Sequence, residues 1–257
     1  MDQLALLPAH VRGRMAAALA NGSLAPPYSE SAVRSAIGVV SGVNDVHAQL
    51  QSLDAEGARP SLIARWLNSL TDIEQRAPRT DLVWSGSEVP GLHARDTRAV
   101  FSELFARSTK AILVSSFTYF DGPKAFGELA VQMDSKPDLD VRLVLNIQRK
   151  FGDVTKADSL VRSFTDSLWK GWPGKRRPAV FYDPRSLDLD SPAVLHAKTV
   201  VIDRSIVLVT SANLTEKAFD DNIELGLLSY DATLAASVAT HFDVLIERGL
   251  LKPLPPA

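Results

Sequence analysis

Two almost unbroken apolar, β-branched runs, Thr199 to Asp203 (TVVID) and Ser205 to Thr210 (SIVLVT), flank a polar Asp203-Arg204 turn. Runs of this kind suit strands covered on both faces, because an alternating pattern would be needed if one face met water. A chain that carries them must therefore build a layered structure with a sheet in the middle. From Asp81 onward the pattern supplies the layers. It predicts strands at Leu82 to Trp84, Ala111 to Ser116, Val141 to Ile147, Ala179 to Tyr182 and Glu224 to Ser229. Between and after them it predicts helices at Thr97 to Arg107, Lys124 to Met133, Val154 to Lys170 and Leu234 to Arg248. Such alternation argues for an α/β fold with a central mixed sheet flanked by helices.

Residues 1 to 78 read differently, as short helices. One begins near Pro8 and fades at Asn21-Gly22, and one follows Pro26-Pro27 with Ser29 or Ser31 as cap and ends near Gly42. A third runs from Asn44 to Glu56 with Gly57 as its stop, and a fourth follows Pro60 with Leu62, Trp66, Leu70 and Ile73 at helical spacing. Two domains are expected, a helical appendage over 1–78 and an α/β domain over 81–257. Trp66 reads as a core anchor of the helical bundle rather than a platform for stacking bases, since its neighbours three and four residues away are apolar.

The ends of the two apolar runs carry chemistry. His196, Lys198, Asp203, Ser211 and Asn213 stand at the spacing H-x-K-x4-D-x6-T-S-x-N, with Glu224 eleven residues further on. A phosphodiester is an anion that repels nucleophiles and expels an alkoxide needing a proton. A neutral imidazole can attack phosphorus while cationic and hydrogen-bonding groups absorb the charge on the phosphoryl oxygens. In this pattern His196 attacks, Lys198 supplies a point charge, and Ser211 and Asn213 add donors. Residues two apart on an extended strand share a face, so His196 and Lys198 aim together from one strand, and Ser211 and Asn213 from the next. Asp203 falls outside the parity of His196 and Lys198 and is expected to make a structural hydrogen bond or ion pair. An isolated H-x-K would be no more than the exposed start of a buried strand; the further positions make a site of it.

These six residues resemble the HKD motif of the phospholipase D superfamily, over the part of the chain from about Asp81. The surrounding LVWSGSEVPGLHARDTR, KRRPAVFYDPRSL and TSANLTEKAFDDNIELG resemble the DrmC family, the phospholipase-D-like component of the DISARM anti-phage system. One departure is Thr210, where many members have Gly. The resemblance implies a metal-independent, cofactor-free, two-step mechanism in which one histidine becomes a phosphohistidine and a second protonates the leaving oxygen. That scheme needs two motifs. The chain holds one, since His93-Ala94-Arg95-Asp96 lacks the lysine and any downstream Ser-x-Asn, and His10, His47 and His241 sit in helical patterns without chemical company. The implied assembly is a homodimer with the active site at the two-fold interface, both His196 residues facing one phosphate. The acid matching Glu224 would orient a histidine across the shared site.

Trp172 to Arg177 bears on substrate. Lys175, Arg176 and Arg177, with Lys170 and the tryptophans Trp169 and Trp172, form a Gly- and Pro-broken loop that either tracks a polyanionic strand and stacks its bases or leaves its cations in solvent above packed tryptophans; Gln148-Arg149-Lys150 could add to it. A net charge of −2 means that contact with DNA or RNA must rest on such a local patch. The chain has no cysteine, no H-E-x-x-H and no aspartate cluster that would hold paired magnesium ions. No segment holds the eighteen or more apolar residues needed to span a bilayer, and the start does not read as a secretory signal, so a cytoplasmic protein without a membrane partner is expected. Three functions fit: a nuclease on DNA or RNA in anti-phage defence, a lipid phosphodiesterase, or a non-catalytic subunit that meets other defence-system proteins.

Overall fold

The computed structural model describes residues 3–38, 42–87, 91, 93–117, 124, 126–190 and 193–256, and it divides into two compact units, Met1–Ala77 and Pro78–Ala257. In the first unit, helices α1 (Ala9–Ala20), α2 (Glu30–Ile37), α3 (Val43–Ala55) and α4 (Pro60–Arg76) close around Val11, Met15, Leu19, Val33, Leu50 and Leu67. Ser29 caps α2 by accepting from the Ala32 amide at 3.2 Å. The expected end of α2 near Gly42 falls partly outside the described residues; the helix itself stops at Ile37. Arg12 lies inside this bundle, donating to the carbonyls of Ala5 (2.9 Å) and Leu7 (2.6 Å) and pairing with Glu74, so its buried charge is matched by hydrogen bonds.

One expectation fails here. Trp66 is 37% exposed, and Leu62 and Ile73 are exposed with it. The inward face of α4 is Ile63, Ala64 and Leu67. Two apolar stripes run along this helix a residue apart, and spacing alone selects neither; the smaller side chains face the bundle.

The second unit is a sheet between helices. Its strands are β1 (Thr80–Ser85), β2 (Arg95–Asp96), β3 (Ala111–Ser116), β4 (Asp140–Leu145), β5 (Ala179–Tyr182), β6 (Thr199–Ile202), β7 (Ile206–Thr210), β8 (Glu224–Ser229) and β9 (Lys252–Pro253). They lie in the order β2-β1-β8-β7-β6-β3-β4-β5-β9. The run from β1 through β8, β7 and β6 to β3 is antiparallel, and β3, β4 and β5 are parallel, so the sheet is mixed. The helices are α5 (Thr97–Arg107), α6 (Gly127–Ser135), α7 (Ala157–Lys170), α8 (Glu216–Asp220) and α9 (Ala232–Glu247).

Each face of the sheet buries its own set of side chains. Val114, Leu143, Val200, Ile202 and Leu208 meet Phe101, Phe105, Leu129 and Leu168 on one side. Leu113, Val144, Val201 and Val207 meet Ala235, Ala239 and Phe242 of α9 on the other. This two-sided burial is why β6 and β7 carry no polar alternation. Beyond the reach of α9, the same face leaves Leu82, Val209, Leu225 and Leu227 exposed.

α7 begins at Ala157, three residues later than the pattern suggests, because residues 150–155 are held in a loop by Arg149 and Asp153. The expected helix from Lys124 is described from Gly127; residue 125 lies outside the described residues.

Candidate active site

The direction of the strands brings the motif together. β6 is antiparallel to β3 and β7, so the start of β6 lies beside the end of β3 (Ser115 opposite Thr199) and the end of β7 (Thr199 opposite Val209). The start of β8 joins them, with Thr210 opposite Gly226 and Ser85 opposite Glu224. His196 and Lys198 precede β6, and Ser211 and Asn213 follow β7, so these four stand just off the strand ends rather than on the strands as the sequence suggests. All of them therefore stand at one rim of the sheet, where Thr210 N donates to Lys198 O at 3.1 Å and carries the ladder past the end of β6.

His196 is exposed, and Lys198 beneath it is 8% exposed. The lysine ammonium lies 3.2 Å from Nε2 and 3.4 Å from Nδ1 of the imidazole and donates to the His196 carbonyl at 3.0 Å. Burial holds the Lys198 pKa below the usual lysine range, opposed by the carboxylate of Glu224. A partly desolvated cation beside an open imidazole is a strong attractor for a phosphoryl oxygen, because less solvent screens it. Phe117, at the end of β3, stands 5.4 Å from the imidazole centroid and 6.0 Å from the Lys198 ammonium, and so walls one side of the pair. Nothing in the motif signals Phe117; only the register of β3 against β6 brings it there.

Glu224 is buried with both oxygens engaged. Ser211 Oγ donates to Oε2 at 2.5 Å and Asn222 Nδ2 donates to Oε1 at 2.9 Å. Ser211 Oγ in turn accepts from the Leu225 amide at 3.1 Å. Asn213 Oδ1 is buried with no hydrogen-bond partner. Thr210 Oγ1 accepts from the Ala212 amide at 3.0 Å and holds the turn that carries Ser211. Its partner across the ladder is Gly226, where a Cβ would meet the Thr210 side chain at 3.0 Å and the Val209 carbonyl at 3.1 Å. The glycine makes room for the threonine.

A family model described as the cardiolipin synthase, PLD-like domain matches residues 101–246, more than half of the chain. The chain belongs to the PLD-like domain family. This places it in the PLD-like phosphodiesterase superfamily, with the α/β architecture described above. Among solved structures it is similar to the phospholipase D family member Nuc from Salmonella typhimurium, with 17% identity, TM-score 0.46, and coverage of 70% of this chain and 99% of Nuc. It is also similar to phosphatidylserine synthase from Haemophilus influenzae Rd KW20, with 17% identity, TM-score 0.46, and coverage of 76% of this chain and 47% of that one. NucT from Helicobacter pylori shows 16% identity and TM-score 0.43, covering 66% of this chain and 96% of NucT. A search of curated proteins finds no match.

Not every residue singled out in the sequence reaches the PLD-like rim. Asp203 lies past the other end of β6, where it accepts from Thr109 N (2.9 Å), Thr109 Oγ1 (2.7 Å), Lys110 N (2.7 Å) and Ala111 N (2.8 Å). Burial pushes its carboxyl upward, but these hydrogen bonds outweigh it and hold the pKa below the usual aspartate value. Asp203 and Arg204 both have positive φ, 51° and 53°, in the turn between β6 and β7.

The basic loop is also at that far end, because it precedes β5, which runs parallel to β3 and β4 toward the rim. A six-residue strand such as β4 separates the two ends by about 17 Å. Arg176 donates to the carbonyls of Met133 (2.6 Å) and Lys136 (2.8 Å), closing the end of α6. Trp172 is 9% exposed, packs 5.6 Å from the Phe126 ring and donates to Arg176 O at 2.7 Å. Lys175 and Arg177 remain exposed, the latter over the Trp169 ring at 4.8 Å. Trp172 packs beneath the loop, Arg176 is held by backbone carbonyls, and Lys175, Arg176, Arg177 and Trp172 stand at the end of the sheet opposite His196. Among the described residues, no group of three or more His, Cys, Asp or Glu is gathered for a metal ion, and no helix is long and apolar enough to cross a membrane.

Proposed function

We propose that the chain is a metal-independent phosphodiester hydrolase working through a phosphohistidine, that its substrate is DNA or RNA, and that it serves anti-phage defence as a DrmC-like component. The observation that carries the catalytic part is the gathering of exposed His196, buried Lys198 and the Ser211–Glu224 pair at one rim, beside the buried, unbonded Oδ1 of Asn213. A ring nitrogen of His196 attacks phosphorus, the phosphorus–oxygen bond to the leaving group breaks, and an imidazolium hands that oxygen its proton. Water then attacks phosphorus, the nitrogen–phosphorus bond breaks, and the now neutral second imidazole takes the proton from water. Lys198 and the Asn213 amide, turned to present its NH2, bear the charge on the phosphoryl oxygens.

The second imidazole comes from His196 of a second copy in this scheme. His241 is exposed on α9 and His93 precedes the edge strand β2, so neither belongs to the strands of the rim. Val209, Leu225 and Leu227, exposed next to Ser211 and Glu224 in the chain, offer apolar area to that copy. Both oxygens of Glu224 already accept one hydrogen bond, which fixes the carboxylate while leaving lone pairs for an imidazole from across the interface.

The test is incubation of the full chain with labelled single-stranded DNA, duplex DNA, RNA and phospholipid vesicles, all in chelator. The nuclease reading expects cleavage of a nucleic acid that His196→Ala abolishes. Activity that stops in chelator and resumes with magnesium, or full activity in a verified monomer, refutes the scheme. The family description, cardiolipin synthase, favours a second reading as a lipid phosphodiesterase, and turnover of vesicles alone would establish it.

A further inference from the structure

Beside the rim lies a cleft of about 660 Å³ that the proposed chemistry does not use. One wall is the loop that follows β4, with Gln148, Phe151 and Val154; the other is the segment after β5, with Leu189 and Val194. Resting on the nuclease reading above, we propose that this cleft is a subsite for an unpaired nucleobase, that of the nucleotide next to the phosphodiester held at His196.

Position is the first argument. β4 and β5 both end at the rim, and Val194 stands two residues before His196, so their Cα atoms are at most about 7 Å apart. Asn146, in the floor of the cleft, accepts from the Leu195 amide at 3.2 Å and ties the cleft to the segment that delivers the histidine.

Construction is the second. Arg149 is buried, and its guanidinium donates to Leu187 O (2.8 Å), Asp153 O (2.7 Å) and Thr155 O (2.7 Å). It therefore braces both walls against each other. Three carbonyls engage it, so its charge is committed to the scaffold and does not serve a phosphate. A braced loop keeps its tip in place, and the tip here is Phe151, fully exposed, with Val154 also exposed behind it. Ordering such a loop on binding would cost conformational entropy; here the scaffold has already ordered it.

Chemistry is the third. Of the charged groups lining the cleft other than Arg149, one is a lysine, Lys150, and two are carboxylates, Asp153 and Asp190. That balance turns away a second phosphate and an anionic lipid surface alike. It does not turn away a neutral heterocycle, which gains a π-face from Phe151, apolar contact from Leu189 and Val194, and an amide from Gln148 for its polar edge. The volume admits a base with its sugar. A base can enter only when it is out of the double-helical stack, so the subsite selects single strands.

The experiment uses the full chain and a single-stranded oligonucleotide, compared with the same oligonucleotide made abasic at the nucleotides flanking one labelled phosphodiester. The parent is expected to show a KM about 5- to 150-fold lower for the base-bearing strand, the range that loss of one stacked base spans. Phe151→Ala should erase that preference while leaving kcat on the abasic strand at the parent's value. Phe151 is exposed, so the substitution spares the core; Leu189→Ser tests the opposite wall with the same expectation. An equal effect of Phe151→Ala on both strands, no effect on either, weakened binding of phosphatidylglycerol vesicles in place of oligonucleotide, or dissociation of a dimer would overturn the subsite. If the parent cleaves no nucleic acid, the nuclease reading fails by itself. The subsite is then read from quenching of a 2-aminopurine oligonucleotide by the His196→Ala protein, which Phe151→Ala must abolish.

Discussion

Replacing Asp203 by Asn separates a structural from a chemical role for the third residue of the motif. Asn tolerates positive φ, so the backbone of the β6–β7 turn at φ 51° is kept and only the carboxylate changes. The carboxylate accepts four hydrogen bonds, from Thr109 N and Oγ1, Lys110 N and Ala111 N. An amide offers one acceptor oxygen, and its NH2 group must then face either the Thr109 donors or those of Lys110 and Ala111. Each charge-assisted bond is worth about 1.5–3 kcal/mol, but Thr109 and Lys110 are exposed and water recovers part of the loss, which leaves a net cost of about 2–4 kcal/mol. For a unit of this size that lowers its melting temperature by roughly 4–16 °C.

The pH dependence follows from the depressed pKa. The folded carboxyl titrates below the unfolded one, so its stabilisation is complete above the unfolded value near 4 and is lost as pH falls through the folded value. Calorimetry of the full chain from pH 7 to pH 2.5 should show parent and Asp203→Asn far apart at neutral pH and converging in acid. A variant that melts with the parent at pH 7 yet loses activity would refute the assignment, and Asp203 would then have to touch the reaction.

Arg176→Ala should lower thermal stability while leaving the salt dependence of oligonucleotide cleavage unchanged, and Trp172→Ala should cost about 3–5 kcal/mol in denaturant titration; a flattened salt dependence in either would return this loop to the substrate path. Gly226→Ala should destabilise by about 1–3 kcal/mol because its Cβ meets Thr210 and the Val209 carbonyl, and a second change, Thr210→Gly, should recover part of that loss. Additive losses in the double variant would mean that the strain lies elsewhere. The pH profile of kcat/KM should fall on both sides, since one imidazole must be neutral and the other protonated. Glu224→Gln removes the charge that opposes the lowering of the Lys198 pKa, so the Lys198 ammonium should titrate at lower pH in the variant, read from the pH dependence of its reaction with an amine-directed reagent. A titration that moves upward contradicts the coupling.

What could be read in advance divides by range. β6 and the start of β7 were legible because burial on both faces is written in consecutive apolar residues, all four of β6 and the first three of β7. β2 and β9, two residues each, carry no periodic signal and exist through pairing with β1 and β5. Phe117 reaches the rim through the pairing of β3 with β6, between residues more than eighty positions apart, which no local pattern encodes. The place of the basic loop was not legible, because positive charge beside tryptophan looks the same whether its hydrogen bonds go to a ligand or, as for Arg176, to the carbonyls of a neighbouring helix. Its end of the sheet follows from direction: a segment before a strand and a segment after it open onto opposite ends. Trp66 misled for a related reason, since α4 carries two apolar stripes and only packing chooses between them.

Because the rim and the far end share strands but no side chains, mutation can edit one without retuning the other. Lineages could vary the loops that enter β4 and β5, adding length, charge or a docking segment, while His196 and Lys198 keep their aim. Diversity in such a family should accumulate where strands begin in β3, β4 and β5, and restraint where they end.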